Sequence, residues 1–198
     1  MGRPEVPAGL ARTVTLRDGS RVRIRPIRSA DAPRLIALYD RLSRDSAYHR
    51  FFSAMRRLPP DWARKLATVD YDRRLALVAE RESGDGGRDE SAARGEDGEV
   101  IAVARYEPSE WADVAEVAFV VRDDWQGRGL GTIMFLDLLR AAERRGIRRF
   151  CAYVLGDNRR MLDMVARFGD VERRALDSGV VEILFRTRPP ISPRRDEA

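Results

Sequence analysis

Two features of the segment 116-EVAFVVRDDWQGRGLGTIMFLDLLRAAERRG-146 could do chemistry. One is Gln126-Gly127-Arg128-Gly129-Leu130-Gly131, in which glycine recurs at alternate positions between an apolar strand pattern and an amphipathic helix pattern. At a helix N-terminus several backbone N–H groups lack internal partners, and the helix dipole favours negative charge there. Glycines let an anion approach bare backbone and permit positive φ. Strand, glycine-rich turn and helix together make a phosphate-binding device, to which Arg128 adds a long-range positive charge. The other feature is Glu116, a carboxylate inside the otherwise apolar run 114-VAEVAFVV-121. An unpaired charge is costly to bury, and burial raises a carboxyl pKa, so Glu116 suits a general base. The bland alternatives are a ligand-free tight turn for the loop and an Arg-paired edge position for Glu116.

Two standard phosphate loops fail here. A nucleoside-triphosphate loop requires Gly-x-x-x-x-Gly-Lys-Ser/Thr, and this loop has no lysine. A dinucleotide fingerprint reads Gly-x-Gly-x-x-Gly on the first strand of a βαβ unit. Here the spacing is Gly127-x-Gly129-x-Gly131, late in the chain.

The elements that must position these residues follow from patterning. Val14, Leu16, Val22 and Ile24 alternate about Asp18-Gly19, a hairpin signal. Ser29 can cap a helix starting near Ala30. A short helix is expected within 44–52, and Pro59-Pro60-Asp61 opens another with Trp62, Leu66 and Val69 facing in. Strands are expected over 75–80, 100–107, 114–121 and 148–155, and helices over 129–145 and 158–169. A hairpin about Ser178-Gly179 closes the pattern. This order predicts a mixed α/β (α+β) domain: a mostly antiparallel sheet of about seven strands flanked by helices.

The 198 residues suit one domain, taken as 12–187, with a loose arm at 1–11 and a disordered, proline-rich tail at 188–198. The Gly- and acid-rich stretch 82–99 reads as a flexible hairpin loop inside that domain. Apolar runs stay under ten residues and no signal segment opens the chain, so the expectation is a cytoplasmic protein with no membrane span. Cys151 is the sole cysteine, which excludes an intramolecular disulfide and a cysteine-based metal site. The net charge of +5 is carried almost wholly by arginine, with Lys65 the one lysine. Acidic residues are interspersed and no arginine cluster carries interleaved aromatics, so nucleic acid is not an expected partner.

Gln126 to Gly131 resembles the Gln/Arg-x-x-Gly-x-Gly/Ala signature of the GNAT superfamily of acyl-CoA-dependent N-acetyltransferases. Three stretches, LRDGSRVRIRPIRSAD, SAYHRFF and AEVAFVVRDDWQGRGLG, are similar to the acetyltransferase domain of bacterial protein-lysine acetyltransferases, the group that acetylates acyl-CoA synthetases. By element order the likeness spans about nine-tenths of the chain. It implies a GNAT fold, acetyl-CoA as co-substrate, no metal, and a protein acceptor such as an acyl-CoA synthetase. It also implies that loop amides around Gln126, Gly127, Arg128, Gly129, Leu130, Gly131 and Thr132 hold the CoA pyrophosphate. Phe119, Val120 and Val121 would pair with the pantetheine arm, with the N–H near Phe119 as oxyanion donor. Asn158 would cap its helix and face the pantetheine, and Glu116 would be the base. Arg167 is placed either to reach a CoA phosphate or to lie on a solvated helix face.

In one place the sequence departs from the family pattern. Many members carry a tyrosine seven residues after the asparagine, as acid for the leaving thiolate; here that position is Val165. His49, in a charged helix, reads as a surface or packing residue, and Cys151 as a small buried strand residue. A small-molecule amine acceptor, or a non-catalytic acetyl-CoA sensor, are the competing functions.

Overall fold

The computed structural model describes residues 6–82 and 98–188. Strands β1 (Arg12–Thr15) and β2 (Arg21–Pro26) are followed by helices α1 (Ala32–Asp40), α2 (Arg44–Phe51) and α3 (Pro60–Ala67). Then come β3 (Leu75–Arg81), β4 (Val100–Pro108), β5 (Val114–Val121), α4 (Leu130–Glu143), β6 (Arg149–Leu155), α5 (Arg159–Phe168), β7 (Gly169–Asp177) and β8 (Val180–Thr187). Among the described residues eight strands form one sheet in the order β1-β2-β3-β4-β5-β6-β8-β7, in keeping with the expected sheet of about seven. Only β5 and β6 run parallel, because α4 crosses between them; the other neighbours are antiparallel.

Alternation along the central strands builds two cores. In β3, Leu75, Leu77 and Ala79 face the layer of α4 and α5, while Ala76 and Val78 face α1 to α3. Being covered on both sides, β3 reads as a continuous apolar run and not as an alternating one. Phe135, Phe150 and Phe185 stack through the first core with no exposed surface. Gly169 is required where α5 turns into β7: a Cβ there would lie 2.6 Å from Phe185 Cδ2 and 2.9 Å from the Val165 carbonyl.

The α1–α3 layer also holds charge. Arg25, Asp31 and Glu80 are each no more than 2% exposed. Arg25 Nη1 and Nη2 each lie 2.8 Å from an Asp31 oxygen, and Nη2 also donates to Glu80 Oε1. Burial alone would raise the Asp31 pKa, but bonds from Arg25 and from the Arg28 N–H hold it below the ordinary carboxylate value. Asp31, and not Ser29, therefore organises the entry to α1, and a short 3-10 turn over Ser29–Asp31 precedes that helix.

Other expectations shift in detail. In α3 Ala63 and Ala67 are buried, Leu66 packs on the same core and Val69 just beyond the helix is buried as expected, whereas Trp62 stands 47% exposed. The 1–11 arm contains a 3-10 turn at Ala8–Leu10, and Leu10 packs on the core. The antiparallel register Leu75↔Tyr106 to Glu80↔Val100 makes β3 and β4 the expected hairpin. Most of its 82–99 loop, and the 188–198 tail beyond Arg188, lie outside the described residues. Among the described residues no helix is long and apolar enough to cross a membrane.

Candidate active site

Strand β5 pairs with β4 over its whole length, from Pro108↔Ala115 to Ala102↔Val121. Its register with β6 is much shorter: Val114↔Arg149, Ala115↔Phe150 and Glu116↔Cys151, after which the strands diverge. The Arg122 N–H donates to the Ile101 carbonyl at 2.9 Å, so even-numbered residues of β5 turn their backbone groups toward β4. Phe119 and Val121 therefore turn theirs into the gap. Val121 is already used, since its carbonyl accepts from Gln126 Nε2 at 3.0 Å. Phe119 presents its N–H and C=O at the centre of an open strand edge.

The gap is part of a cleft of about 710 Å³ that runs from the glycine loop to Glu116. Glu116, Phe119, Val120, Val121, Gln126, Gly127, Gly129, Gly131, Thr132 and Asn158, all singled out in the sequence, line it. Gly127 (φ 77°) and Gly129 (φ 92°) are left-handed, which is why the loop needs glycine at both. Gly129 is the N-cap of α4 and supplies no side-chain cap; the first turn of α4 carries no acidic residue. The N-terminal amides of this helix are thus uncommitted to side chains and fit a pyrophosphate. At Gly127 nothing lies within 4 Å of where a Cβ would stand, so the loop is open on that side.

Three singled-out side chains sit elsewhere. Leu130 is 1% exposed in the core and is not among the residues that line the cleft. Arg128 turns away: Nη1 lies 2.7 Å from Asp18 Oδ2, Nη2 donates to the Asp124 carbonyl, and the guanidinium stacks 4.6 Å from the Trp125 ring centroid. Its charge is spent on the β1–β2 turn. Arg167 stacks on Phe168 and lies outside the cleft lining. Other arginines line the cleft instead: Arg17 from the hairpin, whose side chain passes Gly129, and Arg159 and Arg160 from α5. Arg160 Nη1 donates to Gln126 Oε1 at 2.7 Å.

Asn158 caps α5, its Oδ1 accepting the Met161 N–H at 3.2 Å. Val165, where many family members carry tyrosine, is wholly buried.

Glu116 faces Glu107 across the β4–β5 ladder and Cys151 across the β5–β6 ladder. Burial, and then the Glu107 charge, raise its pKa; Arg50 and Arg105 hold it back. Arg105 is itself ion-paired to Glu107 at 2.9 Å. Arg50, on α2, lines the cleft beside Glu116, with its pKa lowered to about 10 chiefly by desolvation. Helix α2 is fixed over the gap from both sides. Asp123 accepts from the Ser43 N–H, Ser43 Oγ and Ser46 Oγ at its N-terminus. His49 Nε2 lies 3.0 Å from Asp157 Oδ1 at the other end. His49 is thus a rim residue tied across the cleft, whereas Cys151 is fully buried as expected, its thiol pushed up to about 11 by burial. Arg17, Arg50 and Tyr153 are cleft residues that sequence patterning does not single out. Each reaches the cleft through a tertiary contact that no local spacing encodes.

Comparison with known proteins places this geometry. A family model described as an acetyltransferase (GNAT) domain matches residues 21–170. Acetyltransferase PA5475 of Pseudomonas aeruginosa is 30% identical over 165 residues, 82% of this chain and 82% of that protein. Acetyltransferase Pat of Mycolicibacterium smegmatis is 34% identical over 169 residues, 85% of this chain but only 46% of that longer protein. The crystal structure of the GNAT domain of S. lividans PAT superposes with a TM-score of 0.76 at 34% identity, covering 92% of this chain and 99% of that domain.

Proposed function

This chain belongs to the GNAT acetyltransferase family, and from that premise we propose that it transfers acetyl from acetyl-CoA directly to a lysine side chain of a protein. One observation carries the proposal. The open edge of β5 has the uncapped N-terminus of α4 at one end and Glu116 at the other, within a single cleft.

Bound acetyl-CoA supplies an activated thioester carbonyl. The amides of Gly127 to Thr132 hold its pyrophosphate, and Arg17 adds a cation beside them. Phe119 offers N–H and C=O to the extended amide arm as a neighbouring strand would. A backbone N–H near Phe119 on the same open edge donates to the carbonyl oxygen as negative charge develops there. Glu116 takes the proton of the attacking amine, directly or through a water, and its raised pKa makes it a better base than an exposed glutamate. The amine nitrogen bonds to the carbonyl carbon, and the C–S bond breaks. Similarity of three sequence stretches to bacterial protein-lysine acetyltransferases supports a protein acceptor, such as an acyl-CoA synthetase, and a cytoplasmic setting.

The test is incubation with labelled acetyl-CoA and a cell lysate, followed by separation by mass. Label in protein bands, mapped to lysine by mass spectrometry, is the expected result. Label confined to small amines would redirect the acceptor assignment to a small molecule. Acetyl-CoA binding with no transfer to any fraction would leave a sensor.

A further inference from the structure

Breaking the C–S bond leaves a thiolate that must find a proton, and among the described residues the cleft contains an aromatic hydroxyl able to give it. Val165 is buried and has no proton to donate. The Cys151 thiol has no exposed surface, and His49 is engaged by Asp157. Tyr153 differs from all of these. It stands on β6, two residues beyond the last register with β5, and it lines the cleft. Strand alternation puts its side chain on the same face as Cys151, hence on the face of Glu116, across the gap where the strands part. No hydrogen bond to its hydroxyl occurs among the described residues, although Tyr39, Tyr71 and Tyr106 each place theirs on a backbone carbonyl. An aromatic hydroxyl left free beside a polar cleft is poised for a ligand atom.

We propose that Tyr153 is the acid of the transfer reaction, its hydroxyl donating a proton to the departing CoA sulfur while Glu116 removes one from the amine on the other side of the same carbonyl. This assignment rests on the acetyltransferase function given above. The proton balance is closed. One proton leaves the amine nitrogen for the Glu116 carboxylate, and one leaves the Tyr153 hydroxyl for sulfur. Through water in the open cleft Glu116 then returns its proton and Tyr153 is recharged. The products are the N-acetylated amine and the free CoA thiol. Desolvation, and then the neighbouring charges that include Glu182, Glu110 and Glu116, raise the Tyr153 pKa, so the hydroxyl is protonated throughout the neutral range.

The experiment compares wild type with Tyr153→Phe, which keeps the ring and removes only the hydroxyl. Two quantities are read. One is kcat for acetylation of a verified acceptor; the other is the thiol pKa of CoA bound to each protein, followed by the ultraviolet absorbance of the thiolate. The variant should lose roughly 100-fold in kcat, the scale of one acid–base partner, with CoA affinity held within about twofold. The bound-thiol pKa should rise, because a donor that stabilises the thiolate is gone. An unchanged bound-thiol pKa overturns the assignment, as does a kcat within about twofold of wild type. A kcat loss matched by an equal loss of CoA affinity also overturns it, since that marks a packing role. The thiol titration needs only CoA binding, so it reads Tyr153 even if no acceptor is acetylated and the proposed function itself fails.

Discussion

The Arg128 guanidinium lies 2.7 Å from the Asp18 carboxylate, joining the glycine loop to the β1–β2 turn. The hairpin is bound to the loop by backbone as well, through the Arg17 N–H and the Arg128 carbonyl at 3.3 Å. The arginine that looks most like a phosphate ligand in the sequence therefore anchors a neighbouring element. Arg17, delivered by that same anchor, faces the cleft. Arg17→Ala should weaken CoA binding about tenfold, the scale of a hydrogen bond to a charged group. Arg128→Ala should cost less affinity and should act by loosening the hairpin. Calorimetry with CoA at two salt concentrations checks this: a weaker salt dependence is expected for the Arg17 variant, and equal effects of both substitutions would refute the division of roles.

Glu116→Gln should lower kcat by roughly 100-fold or more, as loss of a general base does. In wild type, activity should fall as pH drops through the raised Glu116 pKa, so the acid limb sits above the ordinary glutamate value of 4.5. The variant should lack that limb. Stability should move oppositely. A carboxylate whose folded pKa is raised costs stability at neutral pH, and the cost vanishes as pH falls through that value. Glu116→Gln should therefore melt higher than wild type at pH 7 and no higher in acid. Thermal melts across pH measure it, and an unchanged or lower melting point at pH 7 contradicts the prediction.

Gly129 and Gly131 should respond differently to alanine. Gly129 holds a left-handed conformation beside Arg17, so Gly129→Ala should cost about 1–2 kcal/mol and weaken CoA binding. At Gly131 an added Cβ meets Phe119 and Val121 at 3.6 Å, an ordinary contact, in a helix where alanine is preferred. Gly131→Ala should keep or raise stability and leave the donor affinity near wild type. Denaturant melts with binding isotherms on both variants separate the two effects.

The buried ionic centre gives an acid-stability prediction. Asp31 is held below its ordinary carboxylate value, so its contribution is complete above that value. It is lost as pH falls from there through the lower folded value. Asp31→Asn should cost about 3–5 kcal/mol at pH 7, because Arg25 stays buried with one carboxylate removed. The difference between variant and wild type should narrow below pH about 4, where the unfolded-state aspartate protonates. Chemical denaturation at several pH values checks it.

Much of this was legible in the sequence where the signal is local. The pattern 114-VAEVAFVV-121 gives the strand, and Gly127 and Gly129 are left-handed as their spacing suggests. Asn158 caps α5, and Ser178-Gly179 turns the last hairpin with both residues at positive φ. What stayed hidden depends on distant partners. The end of β5–β6 pairing at Glu116 is set by how two strands diverge, and no spacing records it. Trp62 looks like a core residue until the paired alanines of α3 show which face is buried. Tyr153 sits in an ordinary strand pattern, and only the pairing of β6 beside β5 puts it on the face of Glu116.

The brief seam between β5 and β6 also has a mechanical meaning. It divides the sheet into a five-stranded part and a three-stranded part, β6, β8 and β7, stitched by three registered residue pairs. The amides of β3 and β4, laddered on both sides, should be the last to exchange with solvent. Those of β7, an edge strand with Leu176 72% exposed, should exchange first. A donor threaded into the gap would act as a missing rung, coupling the two parts so that occupancy slows opening of the smaller one.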